Sequence, residues 1–131
     1  MISLHHAEQL DYLLRSQGRE WEPADGDRFV IPGRDLDQVF VVAEMTIEVQ
    51  EMGTHRLVCF NGTTEWALDS ILVEEVLWLP WEHQLRELLG DRFLSLAAHG
   101  DAFVVTLTDG TRVVHDDVEE AYAEALLGEF T

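Results

Sequence analysis

Lysine is absent from this chain. Its eight basic residues are all arginine, and they face 26 aspartates and glutamates for a formal net charge of −18. A P-loop needs a lysine at the nucleotide phosphates and a Schiff-base enzyme needs a lysine amine, so both classes are excluded. The charge also excludes direct binding to nucleic acid or to an anionic membrane, because both require a basic surface. It favours a basic protein or peptide as partner, and the preferred alternative is that the acidity only provides solubility.

Cysteine and long apolar runs are also scarce. The single Cys59 excludes an internal disulfide and fits a reducing compartment. It follows Val58 in a predicted strand, whereas a catalytic thiol needs exposure and an activating neighbour. The longest fully apolar run, residues 39–43, is far shorter than the roughly 20 residues that span a bilayer. We expect no signal peptide, because the first residues lack a basic region and an apolar core, and we expect a cytoplasmic protein.

Apolar residues that recur at intervals of three and four predict helices near the start, in the middle and near the end of the chain. Ser3 is a good cap for the first helix, and Pro80 suits the first turn of a central one. The predicted helices lie between Ser3 and Gly18, from Thr63 or Thr64 to Leu68, between Pro80 and Gly90, and from Val118 to Leu126.

Between these helices the sequence predicts short strands joined by tight turns. Alternating residues and the Asp109-Gly110 pair indicate hairpins, and the apolar run Val39–Val42 predicts a strand buried on both faces. The predicted strands cover residues 28–31, 39–42, 45–50, 56–60, 74–79, 93–97, 103–107 and 111–115. The pattern predicts one α+β domain over residues 1–131, with antiparallel sheets from two meanders and with N-terminal, central and C-terminal helices.

Acidic and histidine residues invite a search for metal or catalytic sites. The cluster Asp116, Asp117, Glu119 and Glu120 opens the last helix, where carboxylates cap amides and complement the helix dipole. No two of the six histidines have the spacing of a zinc protease. The chain also lacks a Gly-x-Ser-x-Gly elbow and a Gly-x-Gly-x-x-Gly loop. We therefore predict no catalytic residues, no metal site and no cofactor.

Tryptophans form the most suggestive cluster. Trp66, Trp78 and Trp81 lie close together in the sequence and alternate with carboxylates, among them Glu65 and Asp69. Aromatic faces surrounded by carboxylates suit a cationic ligand, and Glu65 with Asp69 could form an acid–base pair. Packing of the tryptophans between helices is the favoured alternative. These five residues are the candidate ligand-binding set.

Several segments resemble a family of short, acidic bacterial proteins that are frequent in actinobacteria and some Firmicutes. They are Gly26–Phe29, Phe60–Ser70, Leu77–Pro80, Gln84–Gly90 and Glu119–Tyr122. The resemblance covers nearly the whole chain, and Trp81 departs from it because a charged residue is expected there. Members are largely uncharacterised, and some carry the label "pilus assembly protein CpaE". The resemblance implies a compact bacterial protein and brings no catalytic residues.

The sequence therefore predicts a non-enzymatic accessory or protein-binding module, and it sets no oligomeric state. Three alternatives stay open. One is a cationic-ligand or enzymatic pocket around Trp66, Trp78 and Trp81. Another is an acidic mimic of DNA phosphates, and the last is the pilus-assembly role that the family label suggests.

Overall fold

The computed structural model describes residues 1–33, 38–43, 47–60 and 70–128. Within these ranges, helices and small antiparallel sheets alternate along the chain, which confirms the predicted α+β class. The helix predicted from Thr63 or Thr64 to Leu68 lies outside the described residues. The contacts divide the chain into a first unit, Met1–Glu20 with Pro80–Thr131, and a second unit, Trp21–Leu79.

The first unit begins with helix α1, Leu4–Ser16. The helix starts where predicted, because the Ser3 hydroxyl accepts a hydrogen bond from the His6 amide at 3.1 Å. Its buried residues are Ala7, Leu10 and Leu14, which share one face.

Helices α2, Glu82–Leu89, and α3, Val118–Leu127, complete the helical part of the first unit. Leu85 and Leu89 form the buried face of α2, and Gly90 ends it at a φ of 57° that favours glycine. Asp117 caps α3, since its Oδ1 accepts from the amides of Glu119 at 2.9 Å and Glu120 at 3.2 Å. Helix α3 packs against both α1 and α2.

The sheet of the first unit is the predicted second meander, formed by β7, Phe93–His99, β8, Ala102–Leu107, and β9, Arg112–His115. The predicted Asp109-Gly110 turn joins the last two strands, and Asp109 Oδ1 accepts from the Thr111 amide at 2.9 Å. Helix α3 packs on β8 and β9.

The second unit contains two three-stranded antiparallel sheets. In one, β1, Arg28–Val30, lies between β2, Phe40–Val41, and β6, Leu77–Leu79. The other is the meander of β3, Ile47–Met52, β4, His55–Phe60, and β5, Ser70–Leu72. One cluster of buried side chains draws on both sheets: Phe29, Ile31, Phe40, Val42, Val58, Val73 and Val76.

Two details of the second unit differ from prediction. The run Val39–Val42 is not buried on both faces, because Val39 and Val41 are 38% and 43% exposed while Phe40 and Val42 are buried. Its strand β2 lies at a sheet edge beside β1 rather than in the meander, and an edge strand over a core buries only alternate side chains. The strand predicted over residues 74–79 is confined to β6, because Val73–Glu75 forms a turn of 3-10 helix.

Carboxylates at the start of α3 bind the chain at and just before the start of α1. We call the three residues Asp117, Glu119 and Glu120 the acidic junction. Asp117 Oδ2 accepts from the Met1 amino group. Glu119 Oε1 accepts from the Ile2 amide at 3.0 Å. Glu120 accepts from the Ser3 amide with one oxygen and contacts His6 Nδ1 with the other.

Both glutamates are buried, at 8% and 7% exposure. The first amides of a helix and the residues just before it lack intrahelical acceptors, so the acidic junction supplies them. The predicted helix-capping role is confirmed for Asp117, whereas Glu119 and Glu120 also make these long-range contacts.

The first prediction concerns Glu120. We expect Glu120→Ala to lower the free energy of unfolding by about 2–3 kcal/mol, because it leaves the Ser3 amide without its acceptor and removes the contact with His6. Urea unfolding of the purified protein measures the change. Glu8→Ala, on an exposed position of α1, is the matched control and should cost no more than about 0.5 kcal/mol. Equal losses for the two variants would contradict the role given to Glu120.

The second prediction concerns the pH dependence of Asp117. Burial raises the pKa of this carboxyl, but hydrogen bonds from the Met1 amino group and from the Glu120 and Glu119 amides outweigh it, so the pKa lies below the ordinary 3.8. A carboxyl whose pKa is lower in the folded state stabilises the fold above its unfolded pKa, and the contribution is lost as the pH falls through the folded pKa.

The native protein should therefore be more stable than Asp117→Asn by the full amount near neutral pH. The difference in the free energy of unfolding should decrease as the pH falls below 3.8. Urea unfolding over a pH series measures it. Asp101→Asn, at an exposed turn position, is the control. Its difference from the native protein in the free energy of unfolding should not decrease in this way. A constant difference for Asp117→Asn at all pH values would exclude the proposed linkage.

Candidate functional site

Two of the five residues predicted to bind a ligand lie within the described ranges, and they belong to different units. Glu65, Trp66 and Asp69 lie outside the described residues. Trp78 belongs to β6 of the second unit, and Trp81 precedes α2 in the first. The five-residue set stays a prediction, and the two described tryptophans have separate surroundings.

Trp78 is part of an aromatic cluster in the second unit. Its ring stacks on that of Trp21, with centroids 6.1 Å apart and planes 7° from parallel. Trp21 is held in place because its Nε1 donates to the buried Asp27 carboxylate at 2.9 Å. Trp78 lies opposite Phe29 in the pairing of β6 with β1. One face of the Trp78 ring is thus covered by Trp21, which fits packing better than ligand binding.

Trp81 borders a cavity of about 320 Å³ in the first unit. The ring is half-buried, and the backbone is fixed because the Trp81 amide donates to Gln84 Oε1 at 2.9 Å and its carbonyl accepts from the Leu85 amide at 3.0 Å. The residues that line this cavity are Trp81, Glu82, His83, Arg86 and Glu119. Of these lining residues, only Trp81 belongs to the predicted ligand-binding set.

Two carboxylates and one guanidinium set the charge of this cavity. The guanidinium of Arg86 lies 4.1 Å from the centre of the Phe93 ring, a cation–π geometry. Glu82 with Arg86 has helical i, i+4 spacing, which a sequence can reveal. Glu119 joins them only through the packing of α3 on α2, so no local pattern could have identified it.

Tyr122 lies close to the same charges. Its side chain is fully buried, and its hydroxyl has no hydrogen-bond partner among the described residues. Burial raises the pKa of Tyr122, while the charge of Arg86 lowers it and that of Glu82 raises it. The hydroxyl therefore stays protonated at neutral pH, and it neither donates nor accepts a hydrogen bond within the described part of the chain.

The edge of the β7–β9 sheet is a second candidate surface. Strand β7 pairs with β8, and among the described residues no strand pairs with its other side. Its side chains are largely exposed, with Leu94 at 60%. We call Ser95–His99, the part that pairs with β8 in unbroken register, the β7 edge.

The sheet also lacks the carboxylates that dominate the chain. Strands β7, β8 and β9 have seven, six and four residues, and none of these seventeen is Asp or Glu. The register places Ala97, Val104 and Val114 in one row across the sheet. Ala97 is exposed and Val114 is 59% exposed, whereas Val104 between them is buried at 5% exposure, so this outer face presents small apolar groups on its two outer strands.

Comparison with family models, with curated proteins and with solved structures finds no match for this chain. None of the helices in the described ranges combines the length and apolar character needed to cross a membrane. Over the same ranges, no three His, Cys, Asp or Glu side chains are grouped so that they could hold a metal ion. In the described part of the chain, the Trp81 cavity and the β7 edge are the surfaces that support a functional proposal.

Proposed function

We propose that this protein is a non-enzymatic accessory module of the cytoplasm that binds another protein through the β7 edge and the adjoining outer face of the sheet. The observation that carries the proposal is strand β7. It has one unpaired side among the described residues and no carboxylate, in a chain that contains 26 carboxylates. The single cysteine supports the reducing compartment.

The proposal rests first on how proteins protect sheet edges. Charged side chains, proline and bulges normally prevent an open strand from pairing with another chain. Strand β7 has an irregularity between Phe93 and Ser95, but the β7 edge that follows is regular. It contains no proline, arginine, Asp or Glu. Its backbone is therefore available to a partner strand, as in domains that bind peptides by strand addition.

Charge supports the same surface. A net charge of −18 keeps copies of the molecule apart and attracts cationic partners. On the β7–β9 sheet that repulsion is weakest, because the strands themselves carry no carboxylate. A partner that approaches the outer face buries small apolar groups such as Val114, and the charged side chain that it meets in these strands is Arg112, two residues before Val114 on the same face.

The third prediction tests this function through Ala97. Partners captured from the native cytosol are purified, and their affinity is measured by calorimetry. Ala97→Arg places a long charged side chain on the exposed outer face and should weaken binding by about tenfold or more.

Ala24→Arg makes the same substitution at an exposed position of the second unit and is the matched control. It should leave the affinity within about twofold. Equal affinity of the Ala97→Arg and native proteins would remove this surface as the binding site. Specific turnover on a substrate panel would overturn the non-enzymatic assignment.

A second candidate function is favoured by the Trp81 cavity. Trp81 offers an aromatic face, and the carboxylates of Glu82 and Glu119 line the same space. Cations bind over indole rings, and nearby carboxylates strengthen the attraction. The cavity therefore suits a small amine. This is the cationic-ligand alternative from the sequence, now limited to Trp81 and the two carboxylates that line its cavity.

The fourth prediction tests this candidate with spermidine. If the cavity binds amines, spermidine should change the tryptophan fluorescence and raise the thermal midpoint of the native protein. Trp81→Ala and Glu82→Gln should abolish both effects, whereas Glu87→Gln, at an exposed position of α2, should retain them. Sodium chloride at matched ionic strength controls for screening. Identical responses to spermidine and salt would exclude the cavity as an amine site.

A further inference from the structure

The hairpin geometry decides which backbone groups of β7 are open. His99 and Ala102 pair across a two-residue turn, Gly100-Asp101. Gly100 has a φ of 62° and Asp101 does not have a positive φ, which matches a type II′ hairpin turn. The pair next to such a turn exchanges both backbone hydrogen bonds, and bonded and non-bonded pairs then alternate along the hairpin.

The alternation assigns each residue of the β7 edge. His99, Ala97 and Ser95 direct their amide and carbonyl groups toward β8, whereas Ala98 and Leu96 direct theirs away from it. The two outward residues therefore present a pair of donors and a pair of acceptors on the open side of the strand. These are the groups that an added strand would bind.

Exposed carboxylates lie at both ends of the strand. Asp91 precedes β7 by two residues and Asp101 follows it by two, and both are exposed. Neither has an ion-pair partner among the described residues. Arg92 is nearest in sequence, but its charge acts on Asp109, whose pKa is lowered mainly by hydrogen bonds from Thr111 and to a smaller extent by Arg92. The β7 edge thus contains no Asp, Glu or Arg, and an exposed carboxylate lies beyond each of its ends, with Arg92 next to Asp91.

We propose that the β7 edge binds an extended segment of a basic partner, which adds as a fourth strand beside Leu96 and Ala98 and places a lysine or arginine near Asp91 and near Asp101. The segment would span roughly seven residues at about 3.3 Å per residue. This inference rests on the proposed protein-binding function and specifies the partner and its mode of binding. A second copy of this chain fits less well, because it also has a net charge of −18 and the two molecules would repel each other.

The test uses a defined probe, the fluorescein-labelled peptide Lys-Val-Thr-Val-Thr-Val-Lys, and a matched peptide with glutamate at both ends. Fluorescence anisotropy should show the lysine peptide binding about tenfold more tightly or better, with a preference that falls as salt is added. In the double variant Asp91→Asn and Asp101→Asn the preference should drop to about threefold or less. Equal binding of both peptides to the native protein would overturn the assigned charge pairing.

Two variants of one residue test strand addition itself. Ala98→Pro removes the outward amide and leaves the groups of Ala97 that face β8, so it should weaken binding of the lysine peptide by about tenfold. Ala98→Ser keeps the amide and should bind within about twofold of the native protein. Native-like binding by a folded Ala98→Pro variant, checked by circular dichroism, would overturn the proposal.

A measurement on the unaltered protein keeps the test valid if Ala98→Pro does not fold. Hydrogen exchange followed by NMR should show that the lysine peptide slows exchange of the Leu96 and Ala98 amides and changes that of Ala97 little, since Ala97 already bonds to β8. No added protection, or slow exchange at both amides before peptide is added, would overturn the proposal, because the edge would then be unused or already covered.

Sedimentation and calorimetry separate failure of this inference from failure of the proposed function. A dimer that Ala98→Pro dissociates would show that a second copy occupies the edge, which overturns the basic partner but not binding at this surface. If a captured partner no longer binds the Ala97→Arg variant but still binds the Ala98→Pro variant, strand addition alone is overturned. A captured partner retained in both variants would overturn both proposals.

Discussion

The first unit depends on buried carboxylates that accept hydrogen bonds from the start of another helix. Glu119 and Glu120 are almost fully buried and bind the Ile2 and Ser3 amides. A buried carboxylate is costly unless it is well paired, and buried amides are costly unless they have acceptors. Each group removes the penalty of the other, so α1 and α3 have one favourable arrangement. Through α3, the same constraint fixes the surface on which α2, β8 and β9 pack.

The acidic residues are unevenly distributed between the structural elements. Those of the acidic junction bind the start of α1, and Asp117 also caps α3. The β7–β9 strands receive none. Since Asp and Glu are depleted in strands generally, their absence from the core-facing positions needs no functional reason. Their absence from the exposed positions Ala97, Ala98 and Val114 is the informative part, because an exposed edge is where a charge would prevent unwanted pairing.

Local signals predicted the elements of the fold well, and long-range contacts account for the rest. The Ser3 cap and the Asp109-Gly110 turn depend on neighbouring residues, so the sequence suffices for them. The alternation predicted in β8 is incomplete, because Val104 and Val105 are both buried. The segment 39–42 was predicted to open the first meander, but its strand β2 pairs back with β1, where Phe40 stacks on Phe29. The contacts of Glu119 and Glu120 span well over a hundred residues. No sequence period reports such a contact, and the burial of these two glutamates was for that reason unpredictable.

The candidate sites followed the same division. Tryptophans and carboxylates that are close in the sequence predicted a ligand site, but Trp78 stacks on Trp21 and Trp81 shares its cavity with Glu119. Neither neighbour lies within the predicted set. The β7 edge had no sequence motif at all: its residues read as an ordinary strand, and only the topology shows that one side is unpaired among the described strands. An open edge is a property of what does not pair, and a periodic pattern records only which face of a strand is buried.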